Sequence, residues 1–364
     1  MEAKMLEFIT EYESAWERLQ RTEKPVVLYG MGNAADKILD WCAEHGVQVR
    51  GVFASDEFVR GQSFRGFTVE RYDALKERLG EELFVVLAFA SERPEVLERF
   101  AELDREQEVI APHLSLFGGE ETVSREWLAR YADRLRMVYK HLADEQSRRV
   151  FACTLNYKLS GKLCYLLECT TRREEDMREL LPLTEDEVYM DLGAYNGDTV
   201  EELGRLTDWR WQQVIAVEPD RRNCRKLRRL AEELGERGLP VEVHECGVWE
   251  SEGELRFSDS GGRQATFVGA EKSVVAVRTI DGLAAGRAVS YIKMDVEGAE
   301  MQALAGAVAT ICRHKPKMFV AVYHYDLDII RLPEILWFML PQYKIYLRKH
   351  PYVPAWELNL ICHV

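Results

Sequence analysis

The 364-residue chain holds 8 cysteines, and no two of them form a CxxC pair. Without that spacing a structural zinc centre has no basis in the sequence. The cysteines are scattered through apolar segments and read as buried free thiols, which favours a reducing compartment over a disulfide framework. Long apolar runs are also missing. The most apolar late stretch, 329–347, is broken by Arg331, Pro333, Glu334, Pro341 and Lys344, so it does not suit a bilayer span. Residues 1–19 carry several glutamates and lack a basic region followed by an apolar run, so they do not read as a secretory signal. Positive charge is in short supply: 48 Lys and Arg stand against 62 Asp and Glu, a net charge of −14. Backbone binding to nucleic acid depends on counterion release by basic residues, so no nucleic-acid partner is expected. Low-complexity tracts and internal repeats are absent too. A soluble, cytoplasmic protein is the expectation these absences leave, with homo-oligomerisation open.

What is present is globular in character, with 47% hydrophobic and 30% charged residues. The length exceeds one typical core and suits two domains. Met5, Ile9, Tyr12, Trp16 and Leu19 recur at helical spacing and predict an amphipathic first helix. Apolar strands are expected at 25–29, 49–54, 84–90 and 109–110. Helices are expected at 34–44, with Asn33 as N-cap, and at 91–104. That alternation predicts a small doubly wound α/β unit, and Gly118-Gly119 marks its end. A helical pattern runs from 124 to about 160 and stops at Gly161. Strands are then expected at 188–192, 214–218, 241–245, 289–294, 317–323, 343–347 and 358–363. A hairpin pair is expected at 255–257 and 274–277. The fold class is therefore α/β, with two Rossmann-like doubly wound domains, 1–119 and 183–364, joined by a helical connector, 120–182.

The chemistry concentrates where expected strands end. The strand at 188–192 runs into Asp191-Leu-Gly-Ala-Tyr-Asn-Gly-Asp-Thr199. Gly193 and Gly197 let the backbone approach a ligand closely, and the following helix start offers free N–H groups. Such a turn is common and weakly specific alone. The next strand ends in Glu218-Pro219, and an acid at that place accepts the hydroxyls of a ribose. An acid opening the loop suits a cationic ligand end better than a pyrophosphate. Tyr291-Ile-Lys-Met-Asp-Val-Glu-Gly-Ala-Glu300 brings Asp295, Glu297 and Glu300 to another strand end. Those acids can orient a hydroxyl, act as a base, hold a divalent cation or merely complement a helix dipole. His324, ending the strand after that, can serve as a base near neutral pH or be structural. Arg221, Arg222, Arg225, Lys226, Arg228 and Arg229 crowd one helix and read first as a solvated face.

Taken together, DxGAxxGDT at 191–199, Glu218-Pro-Asp220, Arg278-Thr-Ile-Asp281, Ile292-Lys-Met-Asp-Val-Glu-Gly-Ala-Glu300 and Val322-Tyr-His324 resemble the FkbM family of methyltransferases. The resemblance covers residues 150–364, including Leu155-Asn-Tyr-Lys-Leu-Ser-Gly161, Tyr346-Leu-Arg-Lys-His350 and Glu357-Leu-Asn-Leu360. It implies a class I methyltransferase fold in the second domain and S-adenosylmethionine as cofactor. It also implies methyl transfer, usually to a hydroxyl oxygen of a sugar, glycan or other small-molecule acceptor. By position, Asp191, Gly193, Ala194, Asn196, Gly197 and Thr199 form the cofactor loop, with Asp191 toward the ammonium group. Glu218 lies at the ribose, Pro219 follows it in the cofactor site, and Glu245, Cys246 and Gly247 lie at the adenine edge. The catalytic candidates are Asp295, His324, Glu297 and Glu300, with a divalent metal left open. The first domain is similar to small Rossmann-like units ahead of sugar-modifying transferases. Gly30 and Gly32 make it a candidate site for a nucleotide or nucleotide sugar, although Ala35 stands where a third glycine would be; a domain for acceptor docking or dimerisation, with no nucleotide, is the alternative. A nucleotide-sugar oxidoreductase and a non-catalytic binding protein are the alternatives.

Overall fold

The computed structural model describes residues 6–117, 121–258 and 272–364. The expected boundary at Gly118-Gly119 and the start of the expected first helix at Met5 lie outside them. The first sheet comprises β1 (Val26–Tyr29), β2 (Val49–Phe53), β3 (Ser63–Phe64), β4 (Phe67–Glu70), β5 (Phe84–Leu87) and β6 (Glu108–Ile110), in the order β3-β4-β2-β1-β5-β6. All of its pairings are parallel except β3–β4. β1 and β5 are buried at every position, which is why they read as continuous apolar runs. Helices Asn33–Glu44, Tyr72–Leu79 and Pro94–Glu106 follow strands as crossovers.

Local chemistry moved several expected boundaries. The first helix spans only Ala15–Arg21, because Ser14 and Glu17 close a capping box that starts the helix there. Leu6 and Ile9 are buried, but in a turn before it. Gly32, not Asn33, is the N-cap of the next helix. The helical stretch from 124 to 160 is three helices, Arg125–Arg130, Ala132–His141 and Glu145–Ser160. Gly161 ends the last of them at φ +69°, the left-handed cap that glycine supplies. Helices Leu163–Cys169 and Arg173–Leu180 complete the segment before the second sheet.

That sheet has seven strands: β7 (Val188–Leu192), β8 (Gln213–Val217), β9 (Val241–His244), β13 (Tyr291–Met294), β14 (Lys317–Ala321), β15 (Lys344–Lys349) and β16 (Leu358–His363). Their order is β15-β16-β14-β13-β7-β8-β9. Only β16 runs against its neighbours, pairing antiparallel with β14 and β15. The order reverses direction at β7, so its carboxyl end opens a crevice between β8 and β13. A small side sheet holds β10 (Gly247–Val248), β11 (Gly253–Ser258) and β12 (Lys272–Arg278), with β11–β12 the expected hairpin pair. Among the described residues no helix is long and apolar enough to cross a membrane.

The two halves interlock. Val353 and Ala355, from the turn between β15 and β16, are buried in the core of the first half beside Tyr157, Leu163 and Leu166. Ser91 and Val353 exchange backbone hydrogen bonds of 2.8 and 2.9 Å. Buried Asp326 accepts from Lys158 Nζ at 2.6 Å and from Val123 N at 2.8 Å, and lies 2.7 Å from His113 Nε2. His113 and Lys158 hold the Asp326 carboxyl well below the usual carboxylate range despite its burial.

Candidate active site

β7 delivers Asp191 and then the glycine loop. Gly193 sits at φ +80° and Gly197 at φ +97°, where the helix Asp198–Leu206 begins. A Cβ on Gly193 would lie 1.9 Å from the Asp295 carbonyl oxygen. The turn from β7 and the turn from β13 therefore touch backbone to backbone. Gly193 N and Ala194 N both donate to Val217 O at 3.0 Å, which ties the loop to β8.

Beneath this loop lies a sealed polar knot. Asp191 is fully buried and accepts from the Thr199 hydroxyl, and its Oδ1 stands 3.5 Å from Lys293 Nζ. Lys293 Nζ donates to Gly193 O at 2.8 Å. Burial works against the Lys293 charge, but Asp191 and Asp295 raise its pKa on balance. Asp191 itself does not line the cleft. It holds Thr199 and Lys293, which do.

Glu218 sits at the end of β8 and lines the cleft. Its two carboxylate oxygens accept from Tyr195 N at 2.9 Å and Asp220 N at 2.8 Å. A carboxylate offers about four lone-pair sites, so the group keeps capacity for a further donor. Burial pushes the Glu218 carboxyl up to about 7. Pro219, Cys246, Gly247 and Val248 extend the same wall. Glu245 turns the other way and pairs with Arg228 at 2.6 Å and Arg221 at 3.3 Å. The six basic side chains of that helix are exposed.

Across the cleft, Asp295, Glu297, Glu300 and His324 come together. His324 Nδ1 lies 2.9 Å from Glu300 Oε1, and Nε2 lies 3.3 Å from Glu297 and 3.5 Å from Asp295. Glu300 Oε1 also accepts from Val296 N at 3.0 Å. The His324 side chain has no exposed surface, and the Phe117 ring stacks over it at 6.0 Å. Burial opposes its protonation, but Glu300, Glu297 and Asp295 together hold its pKa well above the usual histidine range. The His324 side chain has no exposed surface while that of Asp295 is 31% exposed, so the geometry favours Asp295 over His324 as a base. Asp295 faces the cleft and accepts from the Tyr323 hydroxyl at 3.2 Å. Asp295, Glu300 and His324 are also the group among the described residues whose ligand atoms lie close enough, within 4.8 Å, to hold a metal ion.

Of the residues read from sequence, Gly193, Thr199, Glu218, Pro219, Cys246, Gly247, Asp295 and Glu297 line one cavity of about 1070 Å³. Ala194, Asn196 and Gly197 shape the loop behind that surface. Its size sits above the usual range of roughly 300–1,000 Å³ for a single small-molecule site and leaves room for two ligands. Three sets of lining residues escaped the sequence reading: Arg173, Glu202 and Glu357; Tyr352 and Trp356; and Asn33 and Glu92 of the first half. The Tyr346–His350 and Glu357–Leu360 stretches carried family resemblance, but nothing local marked them as cleft residues. In the first half, Gly30 lies at φ +110°, and a Cβ there would meet the Phe89 ring at 2.4 Å. Phe89 thus occupies the close approach that Gly30 allows.

The sheet order and the acid-rimmed crevice define a methyltransferase fold. Residues 191–348 match the family model for the methyltransferase FkbM domain. Over the whole length the fold is similar to that of methyltransferase FkbM from Methylobacillus flagellatus KT. The two share 22% identity across 98% of this chain and 95% of that one, with a TM-score of 0.75. An rRNA methylase from Streptococcus thermophilus aligns at 12% identity over 52% of this chain and 92% of that one, TM-score 0.33. Aeropyrum pernix fibrillarin, solved with bound S-adenosyl-L-methionine, aligns at 14% identity over 52% and 73%, TM-score 0.33. No curated protein matches the chain.

Proposed function

We propose that the chain is an S-adenosylmethionine-dependent methyltransferase that methylates a hydroxyl oxygen of a sugar, glycan or other small-molecule acceptor. The observation that carries this reading is the FkbM domain match over 191–348, joined to the placement of Glu218 opposite Asp295 across one cavity. Glu218 takes the ribose hydroxyls on its unused lone pairs. Pro219, Cys246 and Gly247 flank the adenine. The loop formed by Gly193, Ala194, Asn196, Gly197 and Thr199 faces the amino-acid end, held in shape by buried Asp191. When bound, the cofactor supplies a sulfonium-activated methyl group, which the acceptor oxygen captures as the carbon–sulfur bond breaks.

The chain's own residues position the acceptor and take its proton. Asp295 accepts the hydroxyl proton, with Tyr323 fixing the carboxylate. Glu297 lies beside it as an acceptor-orienting group, while Glu300 and His324 hold the turn rigid. Proximity and alignment supply much of the rate, because the methyl group arrives already activated. Calorimetric titration with S-adenosylhomocysteine tests the reading. Saturable binding is expected in the wild type, with affinity at least tenfold weaker in Glu218→Gln. Equal affinity in both would remove Glu218 from the ribose.

A further inference from the structure

With Asp191 sealed beneath the loop, the amino-acid end of the cofactor needs another reader. A methionine moiety is a zwitterion, so its site must present a cation and an anion together. Arg173, from the helix before the second sheet, lines the cleft with Glu202 and Glu357. Its Nε and Nη2 donate to the two Glu202 oxygens at 2.7 and 3.0 Å, and Nη1 donates to Glu357 at 3.3 Å. Guanidinium carries five N–H donors in a fixed fork, so two remain for a ligand. The guanidinium also stacks over Phe319, 4.3 Å from the ring centroid.

That stacking locates it. Phe319 in β14 is in register with Lys293 in β13, which is in register with Asp191 in β7. Residues opposed across strands share a face of the sheet. Arg173 therefore hangs over the row that ends at the Gly193 loop. Glu202 is four residues past Asp198, on the helix that the loop begins, so it lies on the same helix face. Glu357 holds φ +56°, a left-handed conformation that non-glycine side chains rarely adopt, and its carboxylate meets Arg173.

We propose that Arg173 binds the carboxylate of the cofactor's methionine moiety, while Glu202 and Glu357, oriented by the same guanidinium, receive its ammonium group. The inference rests on the cofactor reading above and assigns this role to three residues that the sequence did not mark as binding residues, two of them, Arg173 and Glu202, outside every motif. Two probes separate it from a purely structural ion network: S-adenosylhomocysteine, which has the amino-acid end, and 5′-methylthioadenosine, which lacks it. Both are titrated calorimetrically into the full chain. A hydrogen bond to a charged group contributes about 1.5–3 kcal/mol, so Arg173→Gln is expected to weaken S-adenosylhomocysteine roughly tenfold to a hundredfold. Its affinity for 5′-methylthioadenosine stays unchanged. Should Arg173→Gln fail to fold, Arg173→Lys keeps the charge and loses the fork, and it is expected to show a smaller loss confined to the same probe. Equal losses for both probes, or no loss for either, would overturn the assignment. Failure of the wild type to bind both probes would overturn the cofactor reading itself.

Discussion

Replacing Gly193 by alanine attacks the point where the turns after β7 and β13 touch. The added Cβ would stand 1.9 Å from the Asp295 carbonyl oxygen, so the two backbones must separate by more than 1 Å to reach ordinary contact. The residue also sits at φ +80°, where a side chain costs roughly 1–2 kcal/mol. Overpacking a tight site adds about 1–3 kcal/mol. Together these give a destabilisation of roughly 2–5 kcal/mol, or a fall in Tm of roughly 4–20 °C at about 2–4 °C per kcal/mol. Relief by movement would displace the Gly193 N–H from Val217 O and the carbonyl from Lys293, so S-adenosylhomocysteine binding should weaken at least tenfold. Differential scanning fluorimetry with and without that ligand reads both effects. Gly235→Ala is the control, since nothing lies within 4 Å of its Cβ and its φ is not positive. Helix propensity predicts a gain there of up to about 1 kcal/mol. A Gly193→Ala protein with wild-type Tm and wild-type ligand stabilisation would refute the close approach of the two turns.

Other outcomes follow from the same geometry. Burial pushes the Glu218 carboxyl up to about 7, and its ionised form is the stronger acceptor for two hydroxyl donors. Affinity for S-adenosylhomocysteine should therefore be highest above pH 7 and fall toward tenfold per pH unit below it; a parallel slope in Glu218→Gln would contradict this. His324 is held protonated among three carboxylates. Its raised pKa means its stabilising contribution is complete below about pH 6.5 and is lost as pH rises toward the folded value. Urea midpoints of the wild type should decline over that window, and His324→Gln should lose the decline along with about 3–5 kcal/mol of stability from stranding buried Glu300. Asp326→Asn strands buried Lys158, with an expected loss of about 3–5 kcal/mol in chemical denaturation; a loss under 1 kcal/mol would show that this contact does not tie the two halves together.

The parts of the site legible in the sequence were those whose physics is local. Gly193 and Gly197 stand where positive φ is required, and Glu218 and Asp295 stand at the ends of apolar strands. Parallel strands buried on both faces announced themselves as runs such as Phe84–Leu87. Less local features were hidden. The capping box at Ser14 and Glu17 overrode a helical apolar pattern that began earlier. The β3–β4 hairpin and helix Tyr72–Leu79 went unread because their strands are too short to show alternation. Arg173 and Glu357 meet across 184 positions, and no spacing rule connects them. The environments of Asp191 and His324 were also out of reach: a residue type shows what a group can do, but not whether a neighbour already holds it.

The most direct test of the central claim is a crystal structure grown with S-adenosylhomocysteine. Density for the adenosyl group is expected between Glu218 and the Cys246–Gly247 wall, with the sulfur facing Asp295 and the amino-acid end beside the Gly193 loop. Ligand density at Gly30 and Gly32 instead, with the Glu218–Asp295 cavity empty, would contradict methyl transfer in this cleft.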